Sequence, residues 1–203
     1  VSNDSLSWTK MISTPIRGGG FYGDKFIYIG TNIGYYSTDG ISFSTFSLST
    51  IPSVDYDCCI EYGNNRYVIL IRYYDTYIYS LYSTDGITWT SGWTSGNGIY
   101  QINDFAFGNG YFVASLNSYI YYSTDGITWT KTTTRCDYNN LFFNGNKFIA
   151  RYSSSKYTST NGVTWTSYTS DTYPNAYQNN LFIYANNKNI KYSSDAITWT
   201  TSL

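Results

Sequence analysis

"YYSTDGITWT", residues 121–130, returns down the chain in near-copies, and whether it is a reactive site or a structural joint decides how everything else is read. The core of the phrase recurs at residues 2–8, 37–43, 83–89, 123–129, 159–165 and 193–199, each time opening on Ser and closing on Trp or Phe. Successive closing aromatics stand 34 to 46 residues apart, which leaves five intervening units. Self-similarity at that period marks an architecture in which each unit buries its apolar surface against its neighbours.

A second pattern precedes each copy: "FYGDKFIYIG" (21–30), "EYGNNRYVIL" (61–70), "AFGNGYFVAS" (106–115), "FFNGNKFIAR" (142–151) and "AYQNNLFIYA" (176–185). An aromatic run, a short Gly/Asn/Asp turn and a second aromatic or β-branched run predict a hairpin, strands a and b. The tyrosine-rich stretch before each phrase, such as 118–122, predicts strand c, and the Ile-Thr-Trp-Thr after its Asp-Gly predicts strand d. Four strands per unit of this length predict an all-β chain folded as a five-bladed β-propeller of four-stranded antiparallel blades. The expected domain is single, 1–203, with units at about 9–43, 44–89, 90–129, 130–165 and 166–199. Residues 1–8 are left as an extra N-terminal outer strand. It is expected as a clasp beside the last blade, with pairing to a neighbouring subunit or membership of a longer, more-bladed chain as alternatives.

Within the phrase, Asp-Gly between two strand runs predicts a type I′ turn at the c–d corner, its Asp oxygens accepting backbone N–H bonds. Ile127 and Trp129, two apart, are expected on one face of strand d, where a buried Trp removes about 150–250 Å² from water. The phrase therefore reads as structural. Gly18-Gly19-Gly20 lacks the Lys-Ser/Thr of a phosphate loop and is expected to be a tight turn.

Composition narrows the function. The chain has 203 residues, a net charge of −1 and only 12% charged residues, so neither a nucleic-acid footprint nor a polybasic membrane patch is present. No apolar run is long enough for a membrane helix. Histidine is absent, which removes Ser-His and Cys-His nucleophile pairs. Cys58 and Cys59 would face opposite ways on a strand, so a disulfide to Cys136 and buried free thiols both stay open. Asp55 and Asp57 form an oxygen-rich pair, read as solvated turn residues, so no metal and no cofactor is expected.

The phrase Ser-Thr-Asp-Gly-Ile-Thr-Trp at 83–89 and 123–129 resembles the Asp-box, or BNR, repeat of sialidases, sortilin-like receptors, photosystem assembly factors and phage tail proteins, whose motif reads Ser-x-Asp-x-Gly-x-Thr-Trp. Here Gly follows Asp directly, which is closer to the shortened form of phage and other surface proteins. The resemblance implies a propeller whose boxes lie at the blade periphery, away from the ligand face, in a carbohydrate-binding or structural protein of a virion, tail fibre or extracellular surface. A sialidase-like site would need an arginine triad, a Tyr/Glu pair and an acid/base Asp. The chain offers Arg17, Arg66, Arg72, Arg135, Arg151 and a single glutamate, Glu61, with no recognisable partner. Hydrolase activity is therefore a minor alternative, pairing Glu61 with an Asp.

Boxes and a–b turns are expected at one end, leaving the variable d–a and b–c connections to carry recognition at the other. The candidate ligand-binding residues there are Tyr56, Asp57, Arg72, Tyr73, Asp75, Trp93, Tyr100 and Asn103. Trp93 is the one tryptophan that the repeat does not explain; it either stacks on a sugar or packs within the fold. The expected function is a non-enzymatic recognition module for a glycan or surface receptor, with assembly through stacking or strand exchange, as a homo-oligomer or with virion proteins, as the alternative.

Overall fold

The computed structural model describes residues 12–48, 58–74, 76–99, 101–137, 140–170, 172–174, 176–178, 181–186 and 188–202. The extra strand expected at residues 1–8 lies outside them. Blade one is β1 (Ile16–Tyr22), β2 (Lys25–Gly30), β3 (Ile33–Ser37) and β4 (Ser44–Ser47). Blade two is β5 (Cys58–Gly63), β6 (Arg66–Tyr73), β7 (Tyr77–Ser83) and β8 (Thr90–Thr94). Blade three is β9 (Ile102–Gly108), β10 (Tyr111–Leu116), β11 (Tyr119–Ser123) and β12 (Thr130–Arg135). Blade four is β13 (Leu141–Phe143), β14 (Phe148–Tyr152), β15 (Ser155–Ser159) and β16 (Thr166–Tyr168). Blade five is β17 (Ala176–Gln178), β18 (Leu181–Ala185), β19 (Ile190–Ser193) and β20 (Thr200–Ser202).

Each sheet is an antiparallel meander in chain order, and the five together form a five-bladed β-propeller. First strands lie beside one another across the sheet boundaries, β1 with β5, β5 with β9 and β9 with β13, and so line the axis. The second strands carry the core because both of their faces are covered. In β6, Ile69 and Ile71 join a cluster with Ile27, Ile29 and Phe46 of blade one. Val68 and Leu70, pointing the other way, join Phe112, Ala114 and Leu116 of blade three. An unbroken apolar run, rather than alternation, is thus what a strand between two neighbours needs. Each fully buried aliphatic side chain contributes about 1.5–3 kcal/mol.

The repeated phrase is a joint, but its geometry differs from the expected turn. Strand d begins after the tryptophan: β11 ends at Ser123 and Tyr122 pairs with Thr130, so residues 124–129 form a loop. Its Asp is not among the residues with positive φ, whereas Gly126 has φ 71°, so the corner is not a type I′ turn. Side chains hold it instead. Ser123 Oγ accepts from the N–H of Gly126 (2.8 Å) and donates to Asp125 Oδ1 (2.9 Å). Asp125 Oδ1 in turn accepts from the N–H groups of Ile127 and Thr128, both at 2.8 Å. Consecutive positive φ values of the type I′ kind occur instead in the a–b hairpins of blades two and three, at Asn64-Asn65 (50° and 55°) and Asn109-Gly110 (49° and 83°), and in the b–c turn at Asn117-Ser118 (46° and 64°).

The glycine triplet is also a correction, since Gly18–Gly20 lie inside β1 rather than in a turn. A Cβ on Gly18 would collide with the Cys58 carbonyl oxygen, so its lack of a side chain lets β1 and β5 meet near the axis. Blades are also tied at the hairpin end. Asn64 Nδ2 donates to the carbonyls of Gly110 and Thr124 in blade three, both at 2.9 Å. Asn109 Nδ2 repeats this toward Asn146 (2.7 Å) and Thr160 (2.8 Å) of blade four. Boxes and a–b turns therefore share one end.

Candidate functional site

Convergence of the first strands leaves a cavity of about 440 Å³ between blades one, two and three. Arg17, Tyr22, Glu61, Asn103 and Asp104 supply its polar lining. Arg17 is exposed at the start of β1. Asn103 and Asp104 stand near the start of β9 and Glu61 farther along β5, so the cavity sits toward the end that carries the d–a connections.

Burial governs the charges there. Desolvation pushes the Glu61 carboxyl up to about 8, against which only one backbone hydrogen bond acts, so this side chain is mostly a protonated donor at neutral pH. Desolvation likewise raises Asp104, to about 6, although the N–H groups of Leu141 and Asn140 pull the other way. Both donate to Asp104 Oδ2, at 2.6 Å from Asn140 and 3.1 Å from Leu141, so this carboxylate ties blade three to blade four. Burial, followed by the field of Glu61, lifts Tyr22 to about 12. Asn103 is 6% exposed; its Nδ2 donates to Ser115 Oγ at 3.4 Å, while its Oδ1 is buried with no hydrogen-bond partner. An acceptor left bare in this way costs about 1–3 kcal/mol.

The other expected ligand residues fall elsewhere. Tyr56, Asp57, Asp75 and Tyr100, and the Asp55 weighed with them, lie outside the described residues. Trp93 is on β8 rather than in a loop, partly buried 5.9 Å from Tyr121 and 6.2 Å from Trp129, where it fills the joint between blades two and three. Tyr73 ends β6 and meets Tyr74 (4.6 Å) and Tyr79 (5.6 Å) edge-on, with Arg72 Nε donating to the Tyr74 carbonyl at 3.4 Å. Arg72 and Tyr73 thus sit at a b–c turn, on a different strand from the Asn103 cavity. Glu61, seen in the sequence as unpartnered, shares the cavity with Asp104, which drew no attention there. The available signal was a carboxylate inside each of two otherwise apolar first-strand runs, "CCIEY" and "INDFAF".

Cys58, Cys59 and Cys136 form no disulfide. Among the described residues no group of three or more potential metal ligands occurs, and no helix is long and apolar enough to cross a membrane.

No protein-family model and no curated protein matches the chain. Solved structures do. Ycf48 bound to a D1 peptide is similar at 19% identity and TM-score 0.62, covering 93% of this chain and 68% of its own. Hsv2 of Kluyveromyces lactis is similar at 9% identity and TM-score 0.61, over 91% and 62%. The AfRom2 CNH domain follows at 7% and 0.55, over 99% and 75%. The chain thus spans roughly two thirds of the length of these solved chains, and the likeness is one of fold.

Proposed function

We propose that the protein is a non-enzymatic recognition module that takes an uncharged, hydrogen-bonding ligand, a surface glycan, into the cavity between its first three blades. The supporting observation is that Glu61, raised by burial and so a protonated donor, and Asn103, whose amide Oδ1 is an acceptor without a partner in the fold, line the same cavity, a pairing that suits a hydroxyl-bearing ligand. Tyr22 adds an aromatic wall with a polar edge, and Arg17 a cation near the opening. The Asp-box resemblance of the repeats and the low charge fit a virion or extracellular surface protein. The peptide bound by Ycf48 makes a peptide segment the next ligand to try. Glycan-array screening, followed by titration calorimetry of wild type and Asn103→Leu, tests this. Leucine removes the waiting acceptor, so affinity is expected to fall at least about tenfold, the equivalent of one lost hydrogen bond of ~1.4 kcal/mol. Equal affinity in a folded variant would place the site elsewhere.

One observation favours a second reading. Glu61 and Asp104 share a cavity and both are raised, as the acid of a two-carboxylate hydrolase would be. The commitment of Asp104 Oδ2 to two N–H groups argues against its acting as nucleophile. Turnover of aryl glycosides, lost in Glu61→Gln, would establish this reading in place of simple binding.

A further inference from the structure

Four joints between successive blades are built alike, and each uses the same positions. The box of one blade seats on the second strand of the blade before it: a Cβ at Gly86 would meet Ile27, and one at Gly126 or Gly162 would collide with Val68 or Val113. Ala196 of blade five packs with Ile149 of blade four. The receiving residues Ile27, Val68, Val113 and Ile149 are all 0% exposed. At the axis, Tyr62, Phe107 and Phe143 cover Gly23, Gly63 and Gly108 of the preceding blade.

Among the described residues, the fifth joint, from blade five to blade one, does not repeat these contacts. The fifth receiving residue, Ile183, is partly exposed. The atoms nearest a Cβ at Gly40 in the box of blade one are those of its own Phe26, and Ile41 beside it is 56% exposed. Phe21, the counterpart of Tyr62 and Phe107, is 59% exposed. On blade five Ile190 is 55% and Tyr192 41% exposed, whereas the blade-three counterpart of Ile190, Ile120, is 0% exposed. Of the eight large apolar residues exposed among the described residues, six stand on these two blades outside the blade-four joint, Ile16, Phe21, Ile41, Leu181, Ile190 and Tyr192, while Ile197 lies in the box that seats on blade four and Tyr74 lies elsewhere. An apolar patch divided between the two ends of one array is an interaction surface.

We infer that this seam is a docking site for further blades of the same four-stranded repeat, inserted between blade five and blade one. Two observations select that occupant. The five sheets each own a copy of the repeated phrase, and the sequence carries a sixth, at residues 2–8, which lies outside the described residues. The solved propellers onto which more than nine tenths of this chain superimposes are themselves about half as long again, so blades spaced as these are fit within a larger ring. Such a blade would offer its second strand to Gly40 and Ile41, and its own box to Ile183, remaking the joint chemistry seen four times.

The test compares the 203-residue chain with one extended after Leu203 by a second copy of residues 48–129, its own blades two and three. Ile41→Ser and its counterpart Ile87→Ser are placed in each, and melting temperature and solution mass are read. In the 203-residue chain, a monomer is expected in which Ile87→Ser lowers the midpoint by several degrees, at about 2–4 °C per kcal/mol, and Ile41→Ser is nearly silent. In the extended chain, Ile41→Ser is expected to cost as much as Ile87→Ser. Three results would overturn the inference. Ile41→Ser as costly as Ile87→Ser in the 203-residue monomer would mean that five blades close on themselves. Self-association abolished by Ile41→Ser would give the seam to a second copy. An extended chain that does not melt cooperatively, or in which Ile41→Ser stays silent, would show that the seam does not take blades.

Discussion

Replacing Glu61 by Gln is expected to remove most of the loss of stability that this protein suffers between about pH 6 and pH 8. A carboxyl whose folded pKa is raised above its unfolded value is protonated in the native state while it is already ionised in the unfolded chain. The native state therefore binds more protons between the two values, and stability falls as pH rises through that window. For Glu61 the window runs from 4.5 to about 8. At ~1.36 kcal/mol per unit the full span is worth at most about 5 kcal/mol, a large part of the 5–15 kcal/mol typical of a folded domain. Asp104 acts in the same direction, but only between 3.8 and about 6, where it is already ionised in both states at higher pH. The interval from about 6 to 8 thus belongs to Glu61, at up to roughly 3 kcal/mol. Tyr22 and Cys136, each pushed up to about 12 by burial first of all, do not titrate there. Urea unfolding followed by tryptophan fluorescence, at constant ionic strength and at pH values near 4.5, 6 and 8, measures the profile. Wild type should lose stability across both steps, and Glu61→Gln only across the first. A wild-type profile that is flat above pH 6, or a variant that parallels it, would refute the buried placement of Glu61 and with it the proposed donor in the cavity.

Ala196→Gly should stabilise the fold, because Ala196 occupies the box position where other blades carry Gly and holds φ at 64°. Relief of the left-handed backbone is worth about 1 kcal/mol, reduced by the packing that its buried methyl group gives against Ile149; a denaturation midpoint equal to or below wild type would contradict this. Asp85→Asn should fold but lose a modest part of its stability at pH 7, since Asn161 holds the same corner in blade four without a charge, accepting from Val163 (3.0 Å) and Thr164 (2.9 Å). Asp85 itself is lowered to about 2, with desolvation outweighed by the N–H groups of Thr88 and Ile87, so its contribution is present above the unfolded pKa of 3.8 and lost as pH falls toward 2. The Asn variant should therefore unfold with a flatter acid limb, and an unchanged acid limb would count against the capping role.

The parts of this molecule that were legible in its sequence are those set by local periodicity, and the parts that were not are set by what approaches from another blade. Five hairpins with Gly/Asn/Asp corners were readable because turn and strand chemistry are written within ten residues of each other. The same local reading misplaced the type I′ turns. Asp-Gly looks like a two-residue hairpin corner, but Ser123 at the end of its strand and Asp125 in the loop satisfy the N–H groups of Gly126, Ile127 and Thr128, so the chain takes six residues to turn and Trp129 stands before its strand. Gly18 shows the limit from the other side. Nothing within its own unit says whether it bends the chain or thins it, and the answer is a carbonyl of Cys58 some forty positions away. Trp93, free of the repeat and therefore suspected of binding, is claimed instead by Tyr121 and Trp129 of the next blade. The cavity combines both cases: Glu61 stood out as a lone glutamate, but only the convergence of β1, β5 and β9 sets it beside Asn103 and Asp104 and withdraws it from water. A repeat whose units differ mainly in what they show their neighbours therefore hides its site in the axis-lining strands, where one polar side chain replaces one apolar side chain without disturbing the period.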